Sequence, residues 1–147
     1  MKTGVAAAAM GLAFAGTASP ANASCAVVGD SIAANVAPYI AECVADALGG
    51  IPSDDIIIRV RPADVLFVSA GSNDPNNPRL EDNLEAIRAK ASARVVWILP
   101  MILPAALAVE RVAARHNDPI MPFEPGPDGK HPKSYEKLAA ALRALFK

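Results

Sequence analysis

The chain has 147 residues, with 14 basic and 15 acidic side chains, a net charge of −1 at pH 7 and 52% hydrophobic residues. That length accommodates one domain. Near-neutrality leaves no electrostatic footprint for nucleic acid or an anionic membrane, so chemistry on a small, mostly uncharged substrate fits better than either partner.

Residues 1–23 read as a signal peptide rather than as part of the fold. Lys2 precedes an alanine-rich apolar run, Val5 to Ala15, and Ala21-Asn22-Ala23 has the small-x-small form of a signal-peptidase site, with cleavage expected after Ala23. The run is too short for a convincing membrane span. Cys25 lies close behind the cleavage point, but Asn22 stands where lipoprotein signals usually carry leucine, which ranks lipidation low. The remaining domain, residues 24–147, is expected to be secreted or periplasmic, with no stable membrane insertion. Its cysteines, Cys25 and Cys43, suit that compartment. Each opens an expected strand, and neighbouring parallel strands lie about 4.8 Å apart, so a Cys25 to Cys43 disulfide is sterically reasonable.

From Cys25 onward, strands alternate with helices. Cys25 to Val28 is an apolar strand, followed by Gly29-Asp30-Ser31 and a helix from Ile32 to Ala41, ended or bent by Pro38. Cys43 to Leu48 reads either as a second strand or as the tail of that helix, and Gly49-Gly50 breaks the chain in both cases. Ser53-Asp54-Asp55 resembles a helix N-terminus, with a capping hydroxyl and two acids at the positive end of the dipole, running to about Val60. Val65 to Ala70 is apolar almost throughout, as a strand covered on both faces should be. The loop Gly71 to Pro78 follows, then a helix from Leu80 to Ala91 with acids early and bases late. Val95 to Leu99 is a buried strand, Ala106 to His116 a helix and Ile120 to Phe123 a short last strand. Glu124 to His131 is a Gly/Pro-rich loop before a final amphipathic helix, Lys133 to Phe146. This alternation implies a three-layer α/β/α fold with a flavodoxin-like parallel five-stranded sheet, strand order 2-1-3-4-5.

In such a sheet the strand-to-helix loops open on one edge, where ligands bind. Gly29-Asp30-Ser31, Gly49-Gly50, Gly71-Ser72-Asn73-Asp74 and Asp128-Gly129-Lys130-His131 therefore meet on one rim. A serine hydroxyl needs a base, a histidine can be that base, and an aspartate on its other nitrogen holds the tautomer. Donors for the oxyanion complete an acyl-transfer site, and backbone N–H groups of Ser31 and Gly50 with the Asn73 carboxamide would be three. Each residue also has a plain reading. Ser31 is a helix N-cap, Asn73 and Asp74 are turn formers, and His131 and Asp128 are a surface residue and a turn former flanking prolines. Asp30 is expected to hydrogen-bond within the loops. His116 suits a helix C-terminus, Trp97 the core, and Asp54-Asp55 a helix start rather than metal ligation. Met101 and Ile102 are placed as walls of an acyl pocket.

Together, the four segments resemble the sequence blocks of the SGNH (GDSL-type) hydrolase family, in order and in placement at strand carboxyl ends. The resemblance spans nearly all of residues 24–147. It implies a three-layer α/β/α fold and ester hydrolysis without metal or cofactor. Carried over by position, Ser31 is the nucleophile, His131 the base, Asp128 its partner, and Ser31, Gly50 and Asn73 the oxyanion hole. Three departures stand out: Ile32 replaces the commoner leucine, the chain is short for the family, and Gly49 competes with Gly50 for the glycine role. The expected substrate is a small-molecule or glycan acyl ester. Two rivals use the same fold, a non-catalytic glycan- or anion-binding module and a flavin or nucleotide binder. The second lacks a phosphate-cradling loop, since Gly29-Asp30-Ser31-Ile32 has one glycine.

Overall fold

The computed structural model describes residues 24–92 and 94–146; the expected signal peptide, residues 1–23, lies outside them. Among the described residues, strands β1 (Cys25–Gly29), β2 (Val44–Ala47), β3 (Val65–Ser69), β4 (Arg94–Ile98) and β5 (Ile120–Met121) form one five-stranded sheet. Every pairing is parallel and the order is β2-β1-β3-β4-β5, as the alternation predicts.

Alternating side chains along each strand divide the core into two layers. Val27, Phe67, Val96 and Ile98 face α1 (Ser31–Val36) and α5 (Tyr135–Phe146), packing with Ile32, Val36, Leu138 and Leu142. Ala26, Val28, Leu66, Val68, Val95 and Trp97 face the other way. Their partners come from α2 (Ser53–Ile57), α3 (Leu80–Lys90) and α4 (Leu103–His116): Ile56, Leu84, Ile87, Val109 and Val112. The central strands are covered on both faces, which is why their sequences are apolar almost throughout. Trp97 is fully buried, and its indole N–H donates to Asp118 at 3.1 Å, so the polar end of the ring is satisfied.

Departures from the expected elements have local causes. The first helix stops at Val36 and tightens into a 3-10 turn over Ala37–Ile40, because Pro38 lacks an N–H and its ring opposes the carbonyl four residues earlier. Within Cys43 to Leu48, Val44–Ala47 is strand rather than helix tail, although the alanines favour helix. Pairing of Val44–Ala47 with β1 outweighs that weak propensity. The fourth helix begins at Leu103, ahead of the expected Ala106, since Pro104 falls in the first turn, where proline is tolerated. α2 is shorter than expected, ending at Ile57, and β5 stops at Met121.

Cys25 and Cys43 form a disulfide with α-carbons 4.7 Å apart. It joins the amino-terminal ends of β1 and β2, opposite the edge on which the four candidate loops open.

Candidate active site

Gly29 ends β1 in a conformation that a side chain would not tolerate. Its φ is +141°, and a β-carbon there would lie 2.0 Å from the carbonyl oxygen of Ser69. The close approach lets the Asp30 N–H donate to that same oxygen at 3.1 Å, turning the chain sharply into α1. Asp30, not Ser31, is the helix cap: its carboxylate accepts from the Ile32 N–H at 3.1 Å and from the Ser69 hydroxyl at 2.7 Å. The cap reading of Ser31 is thereby replaced, and Asp30 has the structural role expected of it. Burial raises the Asp30 carboxyl above the ordinary carboxylate range, against the opposing pull of the Ser69 and Ile32 donors and the charges of Lys130 and His131.

Relieved of capping, the half-buried Ser31 hydroxyl lies 2.9 Å from His131 Nε2, across 100 positions of sequence. His131 Nδ1 lies 2.6 Å from Asp128 Oδ2. The other oxygen of Asp128 accepts from the backbone N–H groups of Lys130 and His131, each at 2.9 Å. These backbone donors, with the His131 side chain, hold the Asp128 carboxyl well below its usual range, so it is ionised throughout neutral and mildly acid conditions. An ionised acceptor at Nδ1 keeps the ring proton there and presents the Nε2 lone pair to Ser31.

Two further loops border this chain of contacts. A β-carbon on Gly49 would sit 3.8 Å from that of Ser31, so Gly49 is the glycine that packs on the serine, while Gly50 has a φ of +80°. No backbone hydrogen bond among the described residues engages the Gly50 N–H. Ser31 opens α1, and an N–H in the first helical turn has no intrahelical acceptor. The Asn73 side-chain amide donates to the Ile51 carbonyl at 3.0 Å, while its oxygen faces Lys130 Nζ at 3.5 Å.

A second set of contacts joins the loops after β2 and β3. Ser53 does not cap α2, whose N-cap position is Pro52. Its N–H and hydroxyl instead donate to the Asp74 carboxylate at 3.1 and 2.6 Å, and Asn77 donates to the same group at 2.9 Å. Asn83 donates to the Ser53 hydroxyl at 2.9 Å. Nothing in the separate sequence contexts of Ser53 and Asp74 signals this pairing, and Lys130 stood out only as a neighbour of His131.

The remaining candidates take no part in these hydrogen bonds. His116 pairs with Glu85 at 2.6 Å on the surface of α4. Asp54 and Asp55 are exposed in the first turn of α2. Met101 is exposed and Ile102 half-buried, and neither lines a 450 Å³ cleft walled by the Pro75–Pro78 loop with Leu103, Pro104 and Leu107. A 360 Å³ cleft lies between Phe123 and the start of α5. Neither cleft includes Ser31 or His131.

Neither a protein-family model nor a curated protein matches the chain. Among solved structures, a crystal structure from Bacteroides fragilis described as a "putative acylhydrolase" is similar, with a TM-score of 0.66 at 14% sequence identity. The match covers 87% of this chain and 88% of that one. The two proteins share the flavodoxin-like α/β fold.

Proposed function

We propose that the protein is an SGNH-type serine esterase that hydrolyses small acyl esters, such as glycan O-acetyl or lipid esters. The observation that carries the reading is the Asp128, His131, Ser31 relay, at 2.6 and 2.9 Å. The fold shared with the neighbour described as a "putative acylhydrolase" supports it. His131 Nε2 takes the Ser31 proton as Oγ attacks the ester carbonyl, and the imidazolium is stabilised by Asp128. The oxyanion is received by the N–H groups of Ser31 and Gly50 and by the Asn73 side-chain amide. His131 then returns the proton to the departing alkoxide, and water repeats the sequence on the acyl-enzyme.

In this reading residues 1–23 are a signal peptide removed after Ala23, and residues 24–147 are the exported domain. The Cys25 to Cys43 disulfide supports an oxidising compartment. Among the described residues no helix is long and apolar enough to cross a membrane.

The test is hydrolysis of p-nitrophenyl acetate together with labelling by a fluorophosphonate probe. Ser31→Ala is expected to abolish labelling and to lower turnover by roughly 10⁴-fold or more while the fold persists. Wild-type protein that neither hydrolyses the ester nor takes the label would instead support a non-catalytic glycan- or anion-binding module on the same fold.

A further inference from the structure

Lys130 is half-buried at the rim of the site, and among the described residues no carboxylate lies within ion-pair distance of it. The same Asp128 carboxylate that pairs with His131 holds the Lys130 backbone N–H at 2.9 Å, so the residue has a fixed root. From there its ammonium reaches across to the Asn73 side-chain oxygen Oδ1, 3.5 Å away and 57 positions distant in sequence. The two ends of a carboxamide are nearly isosteric, so its orientation is chosen by its partners. An ammonium only donates, and the Ile51 carbonyl on the other side only accepts. With Oδ1 toward Lys130 and Nδ2 toward Ile51, both contacts are favourable; rotated by half a turn, both are repulsive. In the favourable orientation one N–H of Asn73 is engaged by Ile51, and the second has no protein acceptor among the described residues.

We propose that Lys130 is a positioning residue for the oxyanion site, fixing the Asn73 carboxamide so that its second N–H is held ready for the acyl oxygen. The inference rests on the hydrolase reading above and adds to it a link between the loop that carries the base and the loop that carries the oxyanion donor. Lys130 acts through Asn73, and its influence is felt where negative charge develops on the acyl oxygen. It therefore bears on kcat and leaves KM nearly unchanged.

The experiment measures kcat and KM for p-nitrophenyl acetate in wild type, Ser31→Ala, Lys130→Met, Lys130→Arg, Asn73→Ala and the double variant Lys130→Met/Asn73→Ala. Lys130→Met is expected to lower kcat by about tenfold with KM within about twofold, and Lys130→Arg, also a pure donor, to recover most of that loss. In the Asn73→Ala background, Lys130→Met should have no further effect. A loss of equal size in that background, a loss confined to KM, or an unchanged kcat in Lys130→Met would each overturn the positioning role. Loss of turnover in Ser31→Ala keeps the hydrolase reading intact in all three cases, whereas undiminished turnover in Ser31→Ala would overturn both.

Discussion

A buried carboxylate next to the candidate nucleophile divides the work of the Gly-Asp-Ser turn. Asp30 caps α1 and anchors to Ser69 on the adjacent strand, which leaves the Ser31 hydroxyl to His131. The arrangement carries an electrostatic cost, because Asp30 is fully buried and its second oxygen has no hydrogen-bond partner among the described residues. Its carboxyl is raised from an ordinary 3.8, chiefly by burial. As the pH rises from about 4, the unfolded chain releases this proton before the folded one does, so Asp30 lowers stability progressively through that window. In Asp30→Asn this slope should be absent. Urea unfolding at a series of pH values is expected to show the variant gaining on wild type as the pH rises, and parallel stability curves would contradict the assignment.

At the scale of elements, two neighbouring residues after β3 hold the loop after β2. Asn73 donates to Ile51, and Asp74 accepts from Ser53, so the segment carrying Gly49 and Gly50 is tied along one side. Ser53 is fully buried, and removing its acceptor leaves donors without partners. Asp74→Ala should therefore cost about 1–3 kcal/mol of stability, measured by denaturant unfolding, with a fall in ester turnover as the glycine loop loosens. A stability within error of wild type would show that water replaces the carboxylate without loss. The charged contacts between α3 and α4, Arg111 with Glu81 and Arg115 with Glu81 and Glu85, lie on the surface and contribute little by comparison.

At the scale of the whole molecule, the disulfide and the candidate site occupy opposite edges of the sheet. The bridge closes a sequence separation of 18 and anchors β2, an edge strand held by β1 alone. The chain-entropy estimate for a loop of that size is about 3 kcal/mol. A Cys25→Ser/Cys43→Ser variant should therefore unfold at lower urea concentration and lower temperature, while the folded fraction keeps the wild-type KM because the bridge is remote from Ser31. Unchanged stability would mean that the unfolded chain is already constrained between these positions.

Fold class and strand order were legible in the one-dimensional pattern. Continuous apolar runs of four or five residues suit strands covered on both faces by helices, and parallel strands with right-handed crossovers leave few orders. The disulfide followed from the same strand spacing, and the four loop segments were legible because a parallel sheet delivers all of its strand carboxyl ends to one edge. What the residues could not decide alone was the division of labour within each loop. Whether Asp30 or Ser31 caps α1, whether Ser53 caps a helix or binds Asp74, and which way Lys130 reaches all depend on partners far away in sequence. Polar contacts act over short distances, and only the folded chain brings Ser69 and Asp74 within 2.7 Å of Asp30 and Ser53, and Asn73 within 3.5 Å of Lys130.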